Sequence, residues 1–377
     1  MKIARPALVA RLHTVIDSTP SRVPVLLGGC GTGRTTILRD LQDLVGSDRC
    51  QYVNLERSAT TPERFHRALC LNAPFVAPDV PLTASTPRAA VDATLAFLTG
   101  AHATDGGPAT FLLDEVLEFR TFENFPGLRH IMHDLLGAIA SSGNRFVVTT
   151  RFTARALRLL RDAPERLDVL QIPPIEAHDL QNGPGSGRSA VPADTAAAVV
   201  ALAGGHAGYA QALLAAHAQL SRQGGSDPVS ALASLLEPGA PLERQIGWCY
   251  ELRLHRARGY GALKGILGIL AEDEPLTLTE ISLRLQRTAG STKDYLSWLE
   301  DVDLVTARQK RYSYVDPLMR LWVRLHCRPV PPTEDEVAGE VHQYALTRLP
   351  QASAAPAMAM AGSGDDDRKT WGIIEID

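Results

Sequence analysis

An α/β architecture is predicted for this chain, with a parallel sheet first, a helical lid behind it and a winged module of three helices and a hairpin last. Three observations lead there. A glycine-rich turn, Gly28-Gly29-Cys30-Gly31-Thr32-Gly33-Arg34-Thr35-Thr36, joins the apolar run Val23-Pro24-Val25-Leu26-Leu27 to a stretch with helical apolar spacing, Ile37 to Val45. A second apolar run, Thr110-Phe111-Leu112-Leu113, ends in two carboxylates, Asp114 and Glu115. From Gly259 the pattern changes to three short helical segments and two strand-like runs around a polar tip.

Leu8, Val9, Leu12, Val15 and Ile16 mark one face of an opening helix that leads into the first strand. The turn that follows has the spacing of G-x-x-x-x-G-K-[ST], with Arg34 where lysine is usual. Its glycines let backbone N–H groups point inward at phosphates, and the next helix adds its positive N-terminal end. Gly28, Gly31, Thr32, Gly33, Arg34, Thr35 and Thr36 are therefore the expected nucleotide-binding residues, with the Thr35 hydroxyl on Mg²⁺. Lysine is a compact point charge, whereas arginine is a longer planar fork that needs a different pocket. Arg34 is thus expected to slow turnover more than to prevent binding.

Gln51-Tyr52-Val53-Asn54-Leu55-Glu56 reads as the second strand, ending in an acid, Glu56, that could lie near the site but is read first as a capping or solvated residue. The run ending at Asp114 and Glu115 is a Walker B pattern: Asp114 would hold Mg²⁺, and Glu115 would orient and deprotonate an attacking water. The interval between the two motifs leaves room for the helical crossovers that parallel strands require. Arg145-Phe146-Val147-Val148 ends in Thr149-Thr150-Arg151, a hydroxyl pair and a cation where a sheet edge would meet the γ-phosphate. Thr150 and Arg151 join Glu115 as the expected catalytic set, with Thr149 an alternative to Thr150. Leu167-Asp168-Val169-Leu170-Gln171-Ile172 is the last strand, stopped by Pro173 and Pro174.

A flexible loop, Gln181 to Ser189, precedes an alanine-rich helical lid. In the winged module Leu263, Ile266, Leu267 and Leu270 form one apolar stripe, Thr277 caps a second helix, and Ser291 to Leu299 makes a third. Leu304 to Ala307 and Arg311 to Val315 flank the tip Arg308-Gln309-Lys310. This order suits a winged helix that meets double-stranded DNA, with Arg308, Lys310 and Arg311 on phosphates and Lys293 toward the groove. The acids Asp294, Glu300, Asp301 and Asp303 would repel a duplex they faced, so packing of the module on the sheet domain is the competing expectation. Trp298 and Trp322 are read as core aromatics.

The expected units are 1–180, 181–257, 258–330, a helical extension at 331–352 and a linker with a terminal peptide at 353–377. Trp371-Gly372-Ile373-Ile374-Glu375-Ile376-Asp377 could add as a strand to a protein partner or fold back on this chain.

Composition sets the bounds. The 377 residues are 45% hydrophobic and 21% charged, as in ordinary globular chains, and a net charge of -4 argues against wholesale coating of nucleic acid. Arg11 and His13 interrupt any secretory apolar region, no membrane class is indicated, and a cytoplasmic location is expected. Five widely spaced cysteines without C-x-x-C spacing read as reduced thiols, and Cys30 as a tolerated small residue.

Taken in order, these motifs resemble the STAND class of P-loop ATPases, the switch-like relatives of AAA+ proteins. Thr149-Thr150-Arg151 is similar to the T-T-R of that class, where the arginine contacts the γ-phosphate. Gly204-Gly205-His206-Ala207-Gly208-Tyr209 resembles its G-G-x-P helix start, which closes over adenine and brings His206 to the nucleotide. Asp316-Pro317-Leu318-Met319-Arg320-Leu321-Trp322-Val323-Arg324 is most similar to the archaeal-type ATPases, and the likeness runs over about residues 5 to 328. Arg34 and Ala207 depart from the pattern. The resemblance implies a P-loop NTPase sheet, a helical lid and a winged helix, with ATP or ADP and Mg²⁺ as ligands. It also implies a switch that receives its input from another chain or an oligomer. The alternative is a DNA-binding or scaffold protein that does not hydrolyse ATP, its P-loop domain vestigial and its tail recruiting a partner.

Overall fold

A computed structural model describes residues 3–349, except 162–163, 182–190, 223, 225–226, 256 and 258. The terminal peptide at 371–377, its linker and the loop at 182–189 lie outside the described residues.

Helix α1 (Pro6–Asp17) leads into β1 (Val23–Leu27), and the glycine turn opens α2 (Arg34–Val45). There follow β2 (Cys50–Asn54), α3 (Leu55–Ser58), α4 (Pro62–Leu71), α5 (Pro87–Gly100), β3 (Thr110–Asp114) and a 3-10 segment, Val116–Asn124. Then come α6 (Ile131–Ser141), β4 (Arg145–Thr150), α7 (Thr153–Leu159) and β5 (Leu167–Gln171). Helices α4 and α5 each start with a threonine hydroxyl accepting an N–H of the first turn, followed by proline, which has no N–H to lose there.

The five strands form one parallel sheet in the order β2-β3-β4-β1-β5. Side chains alternate between its faces, as the period of a strand requires. Leu26, Leu112 and Val147 pack toward α1 and α2. Val25, Leu27, Phe111, Leu113, Phe146 and Val148 pack toward the other layer, with Phe65, Phe97 and Ile131. Burial on both faces explains why these strands read as unbroken apolar runs. Strand β4 lies between the loop-bearing β1 and the acid-bearing β3, with Leu27 opposite Thr150 and Leu113 opposite Val148. Gly28, Asp114 and the Thr149-Thr150 pair consequently meet at one sheet edge.

Beyond the sheet lie α8 (Ala177–Gln181), α9 (Ala193–Leu202), α10 (Ala207–Arg222), α11 (Pro228–Leu236) and α12 (Pro241–Leu254). They are followed by α13 (Tyr260–Glu272), β6 (Leu276–Thr277), α14 (Leu278–Leu285), α15 (Ala289–Asp301), β7 (Val305–Arg308) and β8 (Arg311–Tyr314). The last two are α16 (Pro317–His326) and α17 (Glu334–Leu346). Strands β6, β8 and β7 make a small antiparallel sheet, and the β7–β8 turn holds Gln309 and Lys310 at φ 51° and 62°. One hydrophobic core runs from α9 to α17 and takes in Cys30, so the lid helices and the module behind them pack as a single mass against the glycine loop. Among the described residues no helix is long and apolar enough to cross a membrane.

Of the acids that the sequence suggests would repel a duplex, Asp301 and Asp303 at the end of α15 are engaged with α7, whereas Asp294 is exposed. Asp301 pairs with Arg158 of α7, and the Asp303 carboxylate caps α7 from outside, accepting the N–H groups of Thr153 and, at 3.1 Å, Ala154. Burial lifts the Asp303 carboxyl from its ordinary 3.8 to about 6, with the two N–H bonds and Arg253 offsetting part of the rise. A carboxyl raised in this way holds its proton more tightly in the folded chain than in the unfolded one. Its contribution to stability is therefore complete below about pH 3.8 and is lost as the pH rises through about 6. In urea unfolding, the stability of the wild type minus that of Asp303→Asn should fall across this window and stay flat above it.

Candidate functional site

The loop is shaped by two glycines in the left-handed region, Gly31 at φ 80° and Gly33 at φ 90°. Gly33 is also the N-cap of α2 and has no side chain to donate a cap, so the N–H groups of Arg34, Thr35 and Thr36 lack an intrahelical acceptor. They belong to the wall of a cavity of about 250 Å³, bounded by the loop and by Ala207, Gly208 and Gln211 of α10. This is an anion-binding geometry at a helix N-terminus.

Asp114 is 1% exposed, and its carboxylate accepts three hydroxyls: Thr35 at 2.8 Å, Tyr52 at 2.7 Å and Thr149 at 2.5 Å. The two residues expected to hold Mg²⁺ are thus in direct contact. Among the described residues no group of three or more His, Cys, Asp or Glu side chains could hold a metal. One carboxylate and one hydroxyl fit Mg²⁺, which takes few protein ligands and completes its shell with phosphate and water oxygens. The hydroxyl that reaches the acid is that of Thr149. Thr150, on the opposite face of the strand, accepts the Phe152 N–H instead, at 3.3 Å.

Arg34 does not reach outward. One terminal nitrogen donates to Gly28 O and to Gly29 O (2.6 Å), and the other donates to Glu115 Oε1 at 2.5 Å. Glu115 stands at φ 60°, a left-handed conformation that costs a residue of this type about 1–3 kcal/mol. Its carboxylate accepts the Arg151 N–H at 3.1 Å, and Arg151 Nε lies 3.1 Å away without the alignment of a hydrogen bond. Arg151 in turn pairs with Glu56 at 2.5 Å. Arg34, Glu115, Arg151 and Glu56 therefore form an alternating chain of charges across the strand ends. Burial pushes the Glu115 carboxyl up, and the two arginines only partly restrain it. Glu56, read from sequence as a solvated or capping acid, is a member of the site.

The start of α10 sits directly on the loop. The Gly208 N–H donates to Gly31 O at 2.8 Å, and a Cβ on Gly208 would lie 3.2 Å from that oxygen and 3.3 Å from Gly31 Cα. Gly208→Val should force α10 off the loop and weaken nucleotide binding by about tenfold or more, roughly 1.4 kcal/mol, with far-ultraviolet circular dichroism unchanged. Unaltered affinity in calorimetry would show that this contact does not shape the site. His206 stacks on Tyr209 with ring centroids 4.8 Å apart, and its Nδ1 is buried without a partner. It lines a second cavity of about 610 Å³ on the outer side of the loop, between Gly28, Pro174 and the β7–β8 hairpin. The Tyr209 hydroxyl donates to Asp316 at 2.8 Å, and Asp316 also caps α16 through the N–H groups of Leu318 and Met319. A single helix thus touches both the loop and the C-terminal module.

The residues expected at DNA lie apart from this edge or partly committed. Arg308 lines the larger cavity, Arg311 donates to Pro275 O at 3.0 Å and lies 3.7 Å from Glu280, and Lys310 and Lys293 are exposed. Sequence reasoning did not find Tyr52 or Arg253 as parts of this arrangement, because each comes from an element distant in the chain and carries no motif of its own; it singled out Gly208, Asp303 and Asp316 without the contacts they make here.

Sheet order, loop and paired acids together are those of a P-loop NTPase fold. No protein-family model and no curated protein sequence matches the chain. Among solved structures it is similar to the Walker-type ATPase PABY2304 of Pyrococcus abyssi, with 17% identity and a TM-score of 0.60 over 85% of this chain and 96% of that one. A lesser likeness, at 12% identity and a TM-score of 0.44, is to the RuvB Holliday junction branch migration motor of Thermotoga maritima, over 87% of this chain and 96% of that one.

Proposed function

We propose that this chain binds ATP or ADP with Mg²⁺ at the glycine loop and works as a slow nucleotide-held switch of the STAND type. The observation that carries this reading is the convergence of Thr35, Asp114, Glu115 and Arg151 at the sheet edge beside the open N–H groups of α2. A vestigial site has no chemical need of buried acids and cations held in register. The similar Pyrococcus abyssi protein is described as a Walker-type ATPase, which agrees with this choice of ligand.

In this reading the N–H groups from Gly31 to Thr35 hold the β- and γ-phosphates, and Thr35 and Asp114 hold Mg²⁺, which neutralises phosphate charge. Glu115 orients the attacking water and takes its proton once Arg34 releases it. Arg151 turns from Glu56 toward the γ-phosphate. Thr149, bonded to Asp114, is the better-supported hydroxyl partner of the two threonines. Helix α10 carries occupancy of the loop to Asp316, and through it to the C-terminal module, whose helix and strand order supports a winged helix. The lid at 181–257 and the winged helix at 258–330 would then respond as one body.

Calorimetric titration with ATP should show binding that strengthens when Mg²⁺ is present, with phosphate release far slower than binding. Absence of any nucleotide binding would sink this reading, and rapid turnover would sink the slow switch. A second reading, contact with duplex DNA, is supported by the exposed tip at Arg308 and Lys310. Salt-sensitive duplex binding that is indifferent to ATP would favour it. A protein partner for the terminal peptide belongs to the same proposal.

A further inference from the structure

A cleft of about 1010 Å³ opens between the 3-10 segment, α7, α12 and α15. Five arginines and four acids line it, an excess of positive charge in a chain whose net charge is -4. Its size is that of a roomy small-ligand site. Three of the arginines are matched: Arg120 pairs with Glu123 at 3.0 Å, Arg151 with Glu56 at 2.5 Å, and Arg158 with Asp301. A fourth, Arg253, donates to Asp303 O at 3.2 Å and lies in the field of the Asp303 and Asp316 carboxylates.

Arg155 differs. Among the described residues its side chain forms no ion pair and no hydrogen bond, and its guanidinium lies over the Phe152 ring, 5.2 Å from the centroid. Burial, with Arg120 and Arg158 nearby, makes it yield its proton more readily than an ordinary arginine. The carboxylates of Asp301 and Glu118 offset part of this from beyond ion-pair distance. A half-buried cation crowded by its own kind favours the arrival of an anion.

The neighbours describe that anion. The side chains of Arg120 and Arg158 are 45% and 48% exposed, and ion pairs so open to water exchange cheaply for another acceptor. Three guanidinium forks in one cleft suit a group with three acceptor oxygens and nearly two negative charges, so a phosphate monoester fits better than a carboxylate. The rest of the wall is apolar, with Phe152, Leu159, Leu252, Trp298 and Val302. Trp298 packs on the core yet stays half-buried and lines the cleft, where a flat base can stack on it.

We propose that this cleft is an effector site for a nucleoside monophosphate, its phosphate held by Arg155 with Arg120 and Arg158 and its base against Trp298. The phosphate takes the place of Glu123 and Asp301 at the two outer arginines and gives Arg155 an anion of its own. Glu56 and Arg151 line the same cleft. In the nucleotide reading Arg151 leaves Glu56 for the γ-phosphate, and a phosphate bound in the cleft offers it a second anion. The two ligands then share one cation, and each weakens the other by the same factor. This coupling rests on the nucleotide reading, whereas binding in the cleft does not.

The test titrates the full chain with AMP, CMP, GMP and UMP by calorimetry, first without ATP. At least one should bind, and its nucleoside and ribose 5-phosphate should each bind at least about tenfold more weakly. Arg155→Gln should cost that ligand at least about tenfold and Arg155→Lys less, with ATP affinity in both variants equal to that of the wild type. Saturating monophosphate should raise the Kd for ATP about fivefold or more and then no further, an effect lost in Arg155→Gln. Failure of all four monophosphates to bind, or binding that Arg155→Gln leaves intact, overturns the site. Tighter binding of O-phosphotyrosine than of every nucleotide overturns the choice of ligand. A Kd for ATP that rises without a ceiling shows competition at the glycine loop and overturns the coupling. Absence of ATP binding while the monophosphate still binds tells instead against the nucleotide reading.

Discussion

Glu115→Gln should lower the stability of the nucleotide-free protein and at the same time tighten its hold on ATP. In the free protein the Glu115 carboxylate is the acceptor for Arg34 at 2.5 Å and lies 3.1 Å from Arg151, whose side chain is 5% exposed. Removing one member of a buried ion pair strands its partners, a loss of about 3–5 kcal/mol, softened here because glutamine still offers a carbonyl acceptor. A fall of about 2–4 kcal/mol in urea unfolding is expected. Phosphates approaching the loop must compete with this same carboxylate for the two guanidinium groups. Without the carboxylate, the guanidinium groups await an anion, and ATP affinity should rise on the order of tenfold. Thermal unfolding with and without ATP would show both effects, as a lower starting point and a larger shift. Equal ATP-induced shifts in the two proteins would mean that Glu115 does not compete with the ligand.

Arg34→Lys should raise ATP turnover by at least about tenfold, since the change moves the site toward freeing its general base. Arg34 reaches three acceptors at once, Gly28 O, Gly29 O and Glu115, because a guanidinium is a fork. An ammonium on a shorter stem cannot span them. The loop carbonyls are then released to solvent or ligand, and the charge is left to bridge the outer phosphates. The gain should vanish in the double variant Arg34→Lys, Glu115→Gln, because it works through the acid. Steady-state phosphate release at saturating ATP is the measurement. If it is unchanged or slower while binding persists, Arg34 is not the restraint on turnover.

Much of the sheet could be read in advance because burial on both faces leaves a local trace. Leu26, Leu112 and Val147 alternate with Phe111, Leu113, Phe146 and Val148, and every one of these positions had to be apolar wherever the strands met. The glycine loop was legible for a similar reason: left-handed backbone at Gly31 and Gly33 is a requirement that residue type alone records. The charged members were harder. Glu56 looks like any acid at a strand end, and only the pairing of β2 with β3 brings it within reach of Arg151. Between Thr149 and Thr150 the sequence offers no choice, and the facing of β4 makes it, by pointing one hydroxyl at Asp114 and the other at Phe152 N.

By itself, then, the sequence determined the parts that local chemistry requires: apolar strands, a glycine turn at a helix N-terminus, acids and a Thr-Thr-Arg at strand ends. Tertiary structure decided how those parts are spent. The order β2-β3-β4-β1-β5 put the Thr-Thr-Arg between the loop and the acids, and the packing of α10 and α12 on the loop brought Gly208 and Arg253 to it. The charge at Arg34 was visible from the start, yet its direction was not. A long side chain takes the acceptors that surround it, and those acceptors, a pair of loop carbonyls and an acid eighty-one positions away, exist together only after the chain has folded.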